Sequence, residues 1–448
     1  GWLPAGNLIN ITAENDESLN PAPNTPSQGS TSKTDDKSLQ RSSDPKELDL
    51  PVLLPTKNEN SSVSIESSES ERSWSIEPLS ENDYEKFAKN LEQAVASGDL
   101  EKVSNFIDWD TLIDTACEGI AVSKALKQSF ILGIKYSPSS LEQRWVNTVL
   151  EGGTYQYLRT HVVDDDKRVL FRLQPYDGGL NYHDLILRKR EDGQVAIVDI
   201  HVFTSGELLS TTMRRGIIPV AVNENRNLLQ KLIGWESDFV KNITTIEQMT
   251  MANLTGDFPA SLSAYKKLPQ SLQDVKNFQI LRIHAAAQVS DSEYQDALEA
   301  FRTAHPNDSG IDLLSVDAFV MKEQFEEAIN CIDRVNRTVG GDAELLVMKA
   351  DIEALAGNND RVKTIITSVL KDDPSNENAI WTLVQLSLAE KDFSETSRLL
   401  TKLESELGIE IDDLTAIPVY EEYTASPEFA LWLQEKSNGG STPTSPTQ

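Results

Sequence analysis

Cysteine is all but missing from this sequence. Cys117 and Cys331 are the only two. They fall in segments that read as different domains, so no disulfide framework is expected and both read as small buried hydrophobes. Long apolar runs are missing too. Nowhere do about 18 apolar residues follow one another, the length a helix needs to cross a bilayer, so no spanning helix is expected. Positive charge is scarce: 41 Lys and Arg stand against 71 Asp and Glu, a formal net charge of −30. Such a chain repels phosphates, which argues against nucleic acid and anionic lipid and leaves basic or neutral partners. The signatures of catalysis are absent as well. There is no HExxH, no CxxC pair, no glycine-rich phosphate loop and no GxSxG. Neither cofactor nor metal is expected, and the chain reads as a non-enzyme.

What is present divides into four parts. Residues 1–76 are rich in Ser, Asn, Asp, Pro and Thr, and 27–45 hold almost no large apolar side chain. That composition cannot bury enough surface to offset the entropy of ordering, so the segment reads as a disordered tether. Residues 437–448 form a second, Gly/Ser/Thr/Pro tail. Between them lie an α+β domain over 77–222 and an all-helical domain over 223–436. The opening Gly1-Trp2-Leu3-Pro4-Ala5-Gly6 fits equally a start left by a removed signal peptide or trimmed membrane anchor and an arbitrary boundary. Export with tethering and a cytoplasmic location therefore both stand open.

In the α+β part, Tyr84, Phe87, Ala88, Leu91, Ala94 and Val95 recur at helical spacing, with Ser80 or Asn82 as N-cap and Gly98 as stop. Further short helices are expected over 99–107, 111–120 and 123–136, and another around Leu141, Trp145 and Val149. The period then changes to two. Strands are expected over 155–163, 168–175, 181–189 and 194–204, joined by short acidic turns that suit antiparallel hairpins. A last helix is expected over 207–215. Helices followed by a four-stranded meander make an α+β layout.

From about Asn223 everything reads as helix, and there the pattern repeats. Cuts at Ser309, Ala343 and Glu377 are each 34 residues apart. The eighth places are Val316, Ala350 and Val384; the twentieth are Ala328, Val362 and Thr396. The twenty-fourth are Ile332, Ile366 and Leu400, and the twenty-seventh are Val335, Val369 and Leu403. Small or branched residues there let paired helices approach closely. Pro374 sits where a helix must stop. Two earlier blocks, around Gly256-Asp257-Phe258 and over 278–306, fit with altered turns, giving about five pairs. The region resembles the tetratricopeptide repeat (TPR) superfamily over roughly 240–410. It departs from that family in lacking most first-helix aromatics and in carrying Thr396 where alanine is usual. Residues 417–435, with Tyr420, Tyr423, Phe429 and Trp432, suit a helix capping the open end of a helical solenoid.

The order of elements over 80–220, with the segment from Gly193 to Phe203, resembles the nuclear transport factor 2-like or SnoaL-like cone fold. Some members of that fold are enzymes and many are binding modules, so fold alone does not choose. Three of the five histidines, His161, His183 and His201, lie on expected strands, near Asp184 and Asp199. Strand parity puts His201 in phase with Asp199, Ile197 and Val195, and sets Asp184 opposite to His183. The plain reading is structural histidines; the sharper one is a His201–Asp199 dyad. The basic run Arg188-Lys189-Arg190 reads as a turn paired to nearby acids, or else as a dock for an acidic segment.

The leading expectation is a non-enzymatic interaction or scaffold protein that binds a peptide or protein partner along the repeats. The alternative is a small-molecule-binding or catalytic cone domain, with the repeats as a stabilising or partner-docking module. The family resemblance implies that places five and nine of each first helix line the concave face. Those are Leu313 and Asp317, Val347 and Asp351, Trp381 and Gln385. An apolar, mostly acidic row with one large aromatic implies a basic-apolar peptide rather than a C-terminal carboxylate.

Overall fold

The computed structural model describes residues 74–439 apart from 76, 136–139, 164, 177, 226, 228–231, 233, 306, 307, 309 and 412. The expected tether and tail thus fall largely outside the described residues. Trp74 is described: it bridges Arg190 in antiparallel fashion, and Ser75 donates its N–H to the Lys189 carbonyl at 2.9 Å. The chain divides into two compact units with the boundary between Leu345 and Leu346.

Among the described residues the first unit opens with five helices: α1 Glu81–Ala96, α2 Leu100–Asn105, α3 Trp109–Ala116, α4 Lys124–Lys135 and α5 Leu141–Leu150. Their starts are written in the sequence. Ser80 and Asp83 cap α1 reciprocally, and Asp99, Asp108 and Ser140 cap α2, α3 and α5. Tyr84, Phe87, Ala88, Leu91, Ala94 and Val95 form the buried stripe of α1. Gly98, at φ 71, supplies the left-handed stop.

The sheet follows as an antiparallel meander in the order β1-β2-β3-β4-β5: β1 Thr154–Val163, β2 Asp166–Gln174, β3 Asn181–Lys189, β4 Val195–Val202 and β5 Glu207–Leu208. The count of four strands is corrected to five. Gly206, at φ 61, turns the chain so that Glu207 and Leu208 pair with Val202 and His201. The helix expected from Glu207 begins instead at Leu209, as α6 Leu209–Glu224. One sheet face supplies the core. Val169, Phe171, Leu173, Leu185, Leu187, Ile200 and Val202 are buried together with residues of α1, α3, α5 and α6. Trp145, Tyr155 and Phe171 stack in succession, each ring 4.7 Å from the next. Each such side chain contributes roughly 1.5–3 kcal/mol of burial free energy.

The rest of the first unit is helical: α7 Trp235–Lys241, α8 Ile243–Leu254, α9 Phe258–Lys267, α10 Gln270–Gln273, α11 Lys276–Val289, α12 Asp291–Ala304, α13 Gly310–Met321 and α14 Phe325–Thr338. Helices α8 and α9, α11 and α12, and α13 and α14 pack as pairs. The unit boundary falls inside α15 Ala343–Leu355. The second unit continues with α16 Asn359–Asp372, α17 Glu377–Ala389, α18 Phe393–Leu407, α19 Glu421–Thr424 and α20 Pro427–Gly439. Tyr420, Tyr423, Phe429 and Trp432 close over Leu399, Leu400 and Leu403 of α18, and Tyr423 is fully buried.

The 34-residue spacing is visible in the backbone. Helices α14, α16 and α18 begin at Phe325, Asn359 and Phe393. Before each comes a left-handed residue, Glu323 at φ 56, Gly357 at φ 77 and Lys391 at φ 59. The next N–H then donates back to the preceding helix at 2.8 Å in all three: Gln324 to Phe319, Asn358 to Glu353, Asp392 to Ser387. This is the six-to-one closure of a Schellman turn. All twelve residues at the four repeating places are buried. Thr396 is buried without penalty because its Oγ1 bonds Ser387 Oγ at 2.8 Å and donates to the Asp392 carbonyl at 3.1 Å.

Candidate functional site

The second face of the sheet carries the polar residues. Register pairs His161 with Arg168, Leu170 with Asp184, Arg172 with Tyr182, and Asp184 with His201. The expected His201–Asp199 dyad does not form. Asp199 Oδ1 accepts from the Ile200 N–H at 2.8 Å and from the Ser210 N–H at 3.1 Å, and Oδ2 accepts from the Ser210 hydroxyl. Burial raises the Asp199 carboxyl above its ordinary value, and the Ser210 bonds pull the other way. His201 instead lies edge-on to Phe203, with ring centroids 5.3 Å apart, and burial lowers its pKa against the opposing pull of Asp184.

Asp184 is taken by another strand. His161 Nε2 meets Asp184 Oδ1 at 2.7 Å, and Arg168 Nη1 lies 3.5 Å from Oδ2. His183 faces the core, where its ring sits 5.6 Å from Trp145 and 5.7 Å from Tyr155. The phase expected for β4 also needs correction. A bulge between Ile186/Asp199 and Leu187/Ile197 turns Ile197 onto the core face while Asp199 and His201 stay on the polar face. One extra residue reverses every side chain beyond it. The cause lies next door: the Phe106 carbonyl accepts from the Ile197 N–H, and the Ile197 carbonyl from the Asp108 N–H, each at 2.8 Å.

Three arginines on this sheet were not singled out from the sequence. Two of them grip the turn before α15. The Arg159 guanidinium donates to the carbonyls of Gly340 and Gly341. Arg172 Nη1 meets Asp342 Oδ1 at 2.5 Å, and the Tyr182 hydroxyl donates to Asp342 Oδ2 at 2.7 Å. Asp342 Oδ1 also accepts from the Glu344 N–H at 3.2 Å, at the start of α15. Arg172, Tyr182 and Asp342 are all buried. Burial first, and the Asp342 carboxylate second, push the Tyr182 phenol well up. The signal in the sequence was the alternation of Arg159, Arg168 and Arg172 along two strands, together with the Gly340-Gly341-Asp342 turn. The run Arg188-Lys189-Arg190 is paired to nearby acids: Arg190 to the buried Asp108 at 2.6 Å, Lys189 to Asp83 at 3.7 Å.

Of the row expected to meet a partner, Leu313 and Val347 are buried. Asp317, Asp351, Trp381 and Gln385 are half-buried and within reach of solvent. Asp351 accepts from the Thr382 hydroxyl at 2.9 Å, and the Trp381 indole N–H donates to Glu377 at 3.2 Å.

A cleft of about 730 Å³ opens among α9–α12. Tyr265 forms one wall, and Arg282 lies over its ring, 5.2 Å from the centroid. Gln279 Oε1, Arg282 Nε and His305 Nε2 line the cleft with no hydrogen-bond partner among the described residues. The mouth carries exposed Asp274, Asp296 and Glu299. Burial, then repulsion from Lys276, lowers the His305 pKa, against the pull of Asp308 and Asp274. Nothing in the sequence pattern marked this place, because its residues come from four helices at irregular spacing.

With this geometry in hand, the class of the protein is an α+β unit with a five-stranded antiparallel sheet followed by many paired helices. Comparison of the chain with protein-family models, with curated proteins and with solved structures gives no match.

Proposed function

We propose that this chain is a non-enzymatic binding protein that engages a peptide or protein partner through TPR-like helix pairs, with a cone-like sheet domain of the nuclear transport factor 2 type in front of them. The observation that carries the reading is the left-handed turn recurring at Glu323, Gly357 and Lys391. Like pairs with like turns bury their apolar faces by stacking on their neighbours, and stacked pairs offer an extended surface to partners. The polar groups of the sheet argue the same way. Asp199 is spent on Ser210, Asp184 on His161, and Asp342 on Arg172 and Tyr182, which leaves these carboxylates structural work rather than chemistry. The half-buried Asp351 and Trp381, both of the second unit, suit a basic-apolar peptide. The test is a peptide array read with the native protein, with Trp381→Ala and with Asp317→Lys/Asp351→Lys. Basic-apolar peptides bind the native protein and lose signal with both variants; selection of acidic peptides, or equal binding by all three proteins, sinks the reading.

A second reading, a small ligand held inside the sheet domain, is favoured by one observation. Glu142 Oε2, Trp145 Nε1 and Tyr155 Oη are buried with no hydrogen-bond partner among the described residues, and burial raises the Glu142 carboxyl. A thermal-shift screen of small polar ligands discriminates. A hit abolished by Tyr155→Phe favours this reading; a screen without hits removes it.

A further inference from the structure

We infer that the cleft among α9–α12 is a recognition site for a short basic peptide, taking a peptide amide at its floor and a Lys or Arg side chain at its mouth. The inference goes beyond the peptide-binding reading, since the cleft lies on helices other than those that carry Asp317, Asp351 and Trp381. Its footing is the floor. Gln279 is 4% exposed, yet its Oε1 has no hydrogen-bond partner among the described residues. A buried amide oxygen in that state is costly, and native folds rarely carry the cost without a ligand, water or ion to meet it. Two further atoms of the same cleft, Arg282 Nε and His305 Nε2, are in the same state. Three such atoms on the lining residues of one cleft are a pattern rather than a lone defect.

The chemistry of these atoms selects the ligand. Arg282 Nε offers a donor and Gln279 Oε1 an acceptor, the complement of a peptide C=O and N–H. His305 Nε2 can serve either partner, according to the tautomer. The Arg282 guanidinium is steadied by the Tyr265 ring, 5.2 Å from its centroid, so its direction is set before a ligand arrives. At the mouth the charge is of the other sign. Asp274, Asp296 and Glu299 are exposed, and three carboxylates around one guanidinium favour a cationic group. An acidic peptide meets repulsion at the mouth, and a bare polyamine satisfies the mouth but leaves the floor unmet. The volume, about 730 Å³, lies within the roughly 300–1,000 Å³ of small-ligand sites.

The probe is the blocked tripeptide acetyl-glycyl-lysyl-glycinamide, titrated into the full chain by calorimetry beside its glutamyl counterpart and spermidine. Saturable binding is expected, at least tenfold tighter than for either comparison ligand. The surface variant Asp296→Lys/Glu299→Lys, which leaves the core untouched, should weaken it at least tenfold, and Arg282→Leu likewise with an unchanged circular dichroism spectrum. Equal binding by the native and rim-reversed proteins overturns the site, as does spermidine binding as tightly as the tripeptide. Array peptides that bind the native protein while the tripeptide does not remove the cleft and leave the peptide-binding reading standing. Failure of the tripeptide and of every array peptide on the native protein removes both.

Discussion

Replacing Asp342 by alanine should be among the most damaging single changes in the first unit. Its carboxylate, 2% exposed, accepts from Arg172 at 2.5 Å and from Tyr182 at 2.7 Å. Arg172 is only 8% exposed and keeps one described side-chain partner, Gln156 Oε1 at 2.6 Å. Alanine therefore leaves a guanidinium buried with its charge uncompensated and a buried phenol without an acceptor. Breaking a buried pair from one side costs about 3–5 kcal/mol, and an orphaned hydroxyl about 1–3 kcal/mol. The two share one cause and do not add fully, so a loss of about 4 kcal/mol is expected. Urea unfolding followed by tryptophan fluorescence reads it, with linear extrapolation to water. The control removes the whole network: Arg172→Met/Tyr182→Phe/Asp342→Leu should recover most of the loss, because no desolvated charge remains. A loss under about 1 kcal/mol for Asp342→Ala, or a triple variant no better than the single, refutes the claim that this carboxylate holds the α15 turn to the sheet.

The turns, the interfaces and the histidines each give a further outcome. Gly357→Ala puts a Cβ on a left-handed residue and should cost about 1 kcal/mol, whereas Glu323→Gly relieves one and should leave stability equal or raised; equal melting temperatures for the two variants would deny the shared turn. Ala328 and Ala350 are fully buried, so leucine at either should overfill its interface and cost roughly 1–3 kcal/mol. An unchanged melting temperature for both contradicts the 34-residue register. His201 and His284 have lowered pKa values, burial being the first cause in each. The folded chain then binds these protons less tightly than the unfolded one, so the stability is present above the ordinary value, about 6.5, and is lost as the pH falls below it. Melting temperature should fall from pH 7 to pH 5, and less steeply in His201→Gln/His284→Gln; parallel profiles count against it.

Local signals carried far in this chain. The cap at Ser80, the stop at Gly98 and the period-two runs all depend on neighbours in sequence, and the structure has helices and strands where those signals stand. The 34-residue register is of the same kind, since a buried place recurs wherever the same turn sets the same phase. Most of the misses are cross-chain. Parity along β4 failed because the bulge at Ile197 is fixed by Phe106 and Asp108, ninety positions away. Asp184 was weighed against histidines near it in sequence, but its partner His161 arrives from a strand two places across the sheet. Asp342 went unmarked because no local pattern links it to Arg172 and Tyr182. The short β5 was lost because two residues are too few for a period. Among the partner-facing residues, the half-buried Asp317, Asp351 and Trp381 could be named from their places, but the burial of Leu313 and Val347 could not.

The measurement that bears most directly on the account is the affinity of the best basic-apolar array peptide for the full chain, titrated at about 50 mM and about 500 mM salt. The account places carboxylates opposite a cationic ligand, and screening shortens the reach of such charges to a few ångströms over that range. Affinity should fall at least tenfold as salt rises, and a charge-neutral analogue of the same peptide should bind weakly at both concentrations. An affinity unchanged by salt, or an analogue that binds as well as the basic peptide, would contradict it.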